Sequence, residues 1–162
     1  MQRAVCTAVL LAAFFAGTGQ AARMTPVDAV NPTAVIATLV ELTNTERVRA
    51  GMAPLEGDAR HSQAAQLEAN QLADIGQFAH VLPEAPYPTP SDRLAAAEYR
   101  WRSYGENIAS GHRADVVMRR WMESPGHRAN ILSEKFTEIG IGYGIAPDGL
   151  RYYVQVFGKP LS

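Results

Sequence analysis

The sequence predicts an α/β domain in which three or more helices flank a small antiparallel sheet. Two segments of helical periodicity open on capping residues, a third amphipathic segment stops at Ser124, Pro125 and Gly126, and the C-terminal stretch alternates apolar residues with glycine before turning back on itself.

The first helix is set by Asn31 as N-cap and Pro32 at its first position, with Val35, Leu39 and Leu42 at helical spacing and Gly51 as the stop. Asp58 caps a second helix running to about residue 75, where Ala65, Ala69, Leu72 and Ala73 form a small-residue stripe and Gly76 ends it. Pro83, Pro86, Pro88 and Pro90 forbid helix and central strand, so residues 82 to 90 read as a surface loop. A short helix capped by Ser91 follows, and then residues 99 to 104 alternate aromatic and polar side chains as a strand does. A third long helix covers about residues 114 to 122, with Ala114, Val117, Met118 and Trp121 on one face, and a single turn spans about residues 127 to 132. Ile139, Ile141, Tyr143 and Ile145 alternate with Gly140, Gly142 and Gly144. Pro147, Asp148 and Gly149 then turn the chain into Tyr152, Val154 and Val156, completing an antiparallel hairpin. The glycines sit within a strand rather than between strand and helix, so they read as a bare face for close packing and not as a phosphate loop.

Arg3, an apolar run over residues 4 to 16 and small residues to Ala22 read as a secretory signal peptide over residues 1 to 21. The run falls short of the roughly 20 apolar residues needed to span a bilayer, so no transmembrane segment is expected after cleavage. Residues 22 to 32 read as a flexible lead-in and residues 33 to 160 as one domain, secreted or periplasmic. Cys6, the only cysteine, leaves with the signal, so the fold rests on its core. A net charge of -1 without a Lys/Arg stripe gives nothing to neutralise phosphates, which argues against a nucleic-acid partner.

Four histidines are the main candidates for chemistry. His61 falls on the stripe of the second helix, the place of a satisfied core or capping group, and His112 lies between Gly111 and Arg113 in an exposed loop. His80 and His127 lie at element ends, where functional side chains concentrate. Glu106, between Gly105 and Asn107 at a strand end, reads equally as a histidine partner or a solvated turn residue. Ser124 lacks the strand-turn-helix setting of a nucleophilic serine.

The run NTER at residues 44–47, FAH at 78–80, GENIA at 105–109, WMESPGHRANIL at 121–132, IGIG at 139–142 and YYVQVFG at 152–158 together resemble the CAP superfamily of cysteine-rich secretory, antigen-five and pathogenesis-related proteins, in its bacterial SCP-like branch. The resemblance implies a three-layer α/β/α sandwich whose cavity brings together two histidines and two glutamates able to hold a divalent metal such as zinc. His80, Glu106 and His127 match three of those positions, and His80 and His127 are the implied metal ligands. The fourth position, three residues after Trp121, holds Ser124; Glu123 lies one residue earlier, rotated by about 100° around a helix.

The leading expectation is an exported domain that binds a small molecule, a lipid or a cell-envelope component through a cavity containing Glu106 and Ser124, with a divalent metal as candidate cofactor. The alternative is a metal-assisted extracellular hydrolase or peptidase in which His80 and His127 hold zinc and Glu106 is general base.

Overall fold

A computed structural model describes residues 31–111 and 113–161. The expected signal peptide and most of the lead-in lie outside the described residues, as does His112.

Nine elements follow in chain order: α1 (Pro32–Arg49), β1 (Glu56–Gly57), α2 (Ala59–Ile75), α3 (Pro90–Ala96), β2 (Trp101–Gly111), α4 (Ala114–Glu123), α5 (Pro125–Ile131), β3 (Glu138–Ile145) and β4 (Arg151–Pro160). The strands form one sheet in the order β1-β3-β4-β2. Its three long strands are antiparallel, as the short connections require, and two-residue β1 adds a parallel edge on β3. The fold is the expected mixed α/β sandwich, with helices on both faces of the sheet.

Local chemistry sets most boundaries. Asn31 accepts the Thr33 N–H, and Asp58 accepts those of Arg60 and His61, so each caps the helix it precedes. Gly76, with a φ of 72°, closes α2 in the left-handed conformation that glycine adopts without strain. Three expectations are corrected. Thr89, not Ser91, caps α3, because the Thr89 and Asp92 side chains bond each other's main-chain N–H groups in a reciprocal box. The proline-rich loop is not purely superficial: Leu82 and Ala85 are buried, and the Leu82 N–H donates to the Pro88 carbonyl. The strand expected over residues 99 to 104 begins at Trp101 and continues to Gly111, since the run from Gly105 onward pairs residue by residue with β4.

Alternation along the strands divides the core in two. Tyr152, Val154 and Val156 of β4 face α2 and α3, whereas Tyr153 and Phe157 join Ile139, Ile141 and Tyr143 of β3 against α1, α4 and α5. Trp121 is 1% exposed and donates its indole N–H to the Ile108 carbonyl at 3.2 Å, so the expected core face of α4 is the observed one. On the α1 side, the facing pair Asn107 and Gln155 is buried. Gln155 donates to Thr43 at 2.7 Å, Asn107 donates to Gln155 at 3.0 Å, and Asn130 donates to Asn107 at 2.9 Å.

The opposite face of β3 is bare. A Cβ on Gly140 would lie 2.1 Å from the main chain of His61 and Ser62, one on Gly142 2.1 Å from the Ala65 carbonyl, and one on Gly144 2.3 Å from the Ala69 carbonyl. Helix α2 therefore lies directly on the strand backbone. Gly142→Val would force helix and sheet apart, and a loss of about 3 kcal/mol or more is expected in a denaturant titration. Trp121→Ala, which empties a filled core position, is expected to cost about 3–5 kcal/mol in the same measurement.

Candidate functional site

The site is organised by a buried guanidinium. Arg93 of α3 sits 2.9 Å from Glu68 of α2, and its Nη2 donates to both carboxylate oxygens of Glu106 of β2, at 3.1 and 3.0 Å. All three side chains are almost wholly buried. Nη2 also donates to the His80 carbonyl at 3.1 Å and Nη1 to the Tyr87 carbonyl at 3.1 Å, which ties the proline-rich loop to the same cation. A buried charge must be paired and bonded to be tolerated, and here one cation faces two carboxylates. The excess negative charge appears at Glu68, whose carboxyl is pushed up to about 7 by burial and, less strongly, by Glu106, against the opposing pull of Arg93.

Glu106 uses its remaining capacity on His80. His80 Nδ1 lies 2.8 Å from Glu106 Oε1, and the side chain is 46% exposed. Because the Glu106 carboxyl oxygens are acceptors in the contact with Arg93, Nδ1 is the nitrogen that donates to Oε1 and Nε2 is left for a ligand. The hydrogen bond to Glu106 raises the His80 pKa above the ordinary histidine value, against the opposing effect of burial. His127, in the first turn of half-buried α5, shifts the other way: burial lowers it first, and the charge on His80 lowers it further. The basicities of the two imidazoles are thus driven apart.

Two of the three matched residues, His80 and Glu106, are in direct contact, and of these two His127 is linked only to His80, whose charge lowers its pKa after burial does. His80 lies beyond the end of α2, in the loop, because Gly76 has already terminated the helix. Glu106 belongs to the interior of β2, not to a strand end or turn, so its side chain is fixed by the ladder with β4. Ser124 stands at the junction of α4 and α5, its N–H bonded to the Arg120 and Trp121 carbonyls and its own carbonyl accepting from Arg128. Among the described residues its hydroxyl meets no member of the site.

Glu68 and Arg93 were not among the sequence candidates. The signal for Glu68 was its spacing: it lies on the same helical stripe as Ala65 and Leu72, a position at which an unpaired charge cannot survive. Arg93 carried no comparable mark, since a charged residue in the first turns of a short helix is ordinarily solvated.

A second cluster lies at the start of α2. Asp58, His61 and Glu138 form the one group of three among the described residues whose potential metal-ligand atoms fall within 4.8 Å of one another. Hydrogen bonds hold most of it together, although the buried His61 Nε2 meets no partner among the described residues. Asp58 lies 3.2 Å from His61 Nδ1 and 2.8 Å from the Arg60 guanidinium, and the Tyr99 hydroxyl donates to Glu138 at 2.5 Å. His61 is fully buried, as expected of a capping and core histidine, and burial lowers its pKa.

The profile of a protein family described as "CAP: Cysteine-rich secretory protein family" matches residues 40–157. An uncharacterised Bacillus subtilis protein, YkwD, is 38% identical over 122 residues, covering 75% of this chain and 46% of its own length. An uncharacterised B. subtilis membrane protein, YlbC, is 30% identical over 75% of this chain and 33% of its own length, so the chain spans less than half of either relative. An extracellular SCP-domain protein of Bacillus anthracis superposes with a TM-score of 0.70 at 29% identity, over 79% of this chain and 41% of that one. An outer surface protein of Borrelia burgdorferi shares the fold, with a TM-score of 0.74 at 22% identity over 82% of this chain and 97% of that one.

In a proton-detected titration the two histidines are expected to separate, His80 above and His127 below the ordinary value of about 6.5. Glu106→Gln should lower His80 toward or below that value, because the neutral amide removes the anion that favours the imidazolium. Coincident titrations in the native protein would contradict the described coupling.

Proposed function

The chain belongs to the CAP, or cysteine-rich secretory protein, family, and from that premise we propose that it is an exported binding domain. It recognises a small, lipidic or cell-envelope ligand through the His80, Glu106 and His127 face. The observation that supports binding over hydrolysis is the bonding of Glu106. Glu106 is almost wholly buried, both its oxygens accept from Arg93 and one also from His80, so it is committed to an ion pair and withdrawn from solvent rather than presented to a water. Its role in this reading is to hold the His80 ring with Nε2 outward.

In this reading a divalent metal would be held by the two imidazoles and not by the carboxylate. His80 and His127 would hold the ion, with Glu106 orienting His80 from behind in the manner of a carboxylate-histidine pair. The ion would supply a positive, electrophilic contact for an anionic or carbonyl group of the ligand. Arg93 keeps Glu106 and Glu68 assembled in its own right, so the scaffold of the face does not wait on metal. Extracellular placement is supported by the N-terminal signal pattern and by the extracellular description of the B. anthracis relative. No helix among the described residues is long and apolar enough to cross a membrane.

Zinc titration tests the reading of the face. Modest affinity is expected at about pH 7.5 and weaker affinity at about pH 5.5, since both nitrogens must be deprotonated to bind and their ordinary value of about 6.5 lies between. The His80→Ala, His127→Ala double variant is expected to lose binding at both, and equal binding by variant and native protein would overturn the assignment.

A further inference from the structure

β2 is the edge strand on the side away from β1, and its outer edge is covered over only part of its length. In an antiparallel ladder alternate residues turn their N–H and C=O groups away from the partner strand. On β2 beyond the irregularity at Trp101 to Ser103 these are the even-numbered residues. The Ile108 carbonyl accepts from the Trp121 indole and the Glu106 carbonyl from the Asn130 amide, each at 3.2 Å. The next such residue, Tyr104, has its main chain met by no side chain among the described residues.

A cleft of about 540 Å³ opens at that uncovered segment, between the start of β2 and the end of α5. Trp101 and Tyr104 line it as an edge-to-face pair 5.4 Å apart, with Tyr104 39% exposed. Phe136 forms its floor and fits only because residue 105 is glycine, where a Cβ would lie 2.8 Å from the ring. Arg102, displaced by the irregularity between Trp101 and Ser103, and Lys135 supply two cations, and no acidic residue lines the cleft. Neither cation makes an ion pair among the described residues.

We propose that this cleft binds an extended acidic peptide, which adds to the free edge of β2 at Tyr104. Free main-chain groups supply affinity for another strand, the aromatic pair and Phe136 take its apolar side chains, and Arg102 and Lys135 select carboxylates. Exposed strand edges are ordinarily blocked, and here Trp121 of α4 and Asn130 of α5 cover the same edge at Ile108 and Glu106. The proposal is independent of the metal and ligand reading of the histidine face.

The test uses a fluorescent hexapeptide alternating glutamate and valine, measured by anisotropy against the full domain. Three comparisons are made: the same peptide with lysine for glutamate, the glutamate peptide with alternate main-chain nitrogens methylated, and the Arg102→Glu, Lys135→Glu double variant. Each change is expected to weaken binding by about tenfold or more. The His80→Ala, His127→Ala variant is expected to bind the peptide as the native protein does, which separates this site from the histidine face. Retained binding of the methylated peptide would show that no strand is added. Equal binding of the lysine peptide would remove the charge argument, and absence of peptide binding alongside binding of an acidic oligosaccharide would assign the cleft to glycan. Any of these overturns the proposal.

Discussion

The closeness of α2 to the sheet is the constraint on which the rest depends. Gly140, Gly142 and Gly144 place three successive turns of the helix against bare strand backbone, with no side-chain layer between. That separation brings Glu68, on the same helical stripe, to within reach of Arg93, and through Arg93 to Glu106 on β2. An ordinary layer of branched side chains on β3 would lift the helix by several ångströms and leave the guanidinium bridging a gap it cannot span. The glycines are therefore as much a part of the site as the residues that carry its charge.

Once assembled, the buried triplet is electrically incomplete. One guanidinium and two carboxylates carry a net negative charge in a poorly solvated space, and the structure relieves it in two places: Glu68 holds its proton to higher pH, and His80 becomes more basic. These shifts oppose each other in use but agree in sign. Both groups bind protons more tightly in the folded state, so the stability each contributes is present in acid and lost as pH rises through its folded value. For Glu68 that window runs from its ordinary carboxylate range up to about 7. His127 and His61 work in the other direction, since burial lowers their pKa values and their contribution is lost as pH falls below the ordinary histidine value.

Much of this was legible in the sequence because it is encoded locally. Asn31 with Pro32, and Asp58 with Gly76, bracket α1 and α2 through caps that need no tertiary context. The alternation of β3 and the stripe containing Trp121 likewise carry their own period. His80 and His127 were identifiable from their motifs, but their surroundings were not, because the His80 shift depends on charges brought from β2, α2 and α3 and the His127 shift on burial and on His80. β2 read as a shorter strand because Gly105, Asn107 and Ser110 are poor strand formers singly; pairing with β4 overrides that preference. Arg93 was invisible for a related reason: only the packing of the proline-rich loop over α3 removes it from water.

The buried chain of amides running from Thr43 through Gln155 and Asn107 to Asn130 has a consequence for how the sheet assembles. Asn107 and Gln155 are direct partners across β2 and β4, and each satisfies the other only at that alignment. A slip of one residue by either strand would turn its amide toward the opposite face and leave both amides without their partner, each costing about 1–3 kcal/mol. An apolar pair on the same strands, such as Ile108 and Val154, tolerates misalignment far better, since greasy surfaces are interchangeable. The polar pair thus favours the one β2–β4 alignment that delivers Glu106 to Arg93.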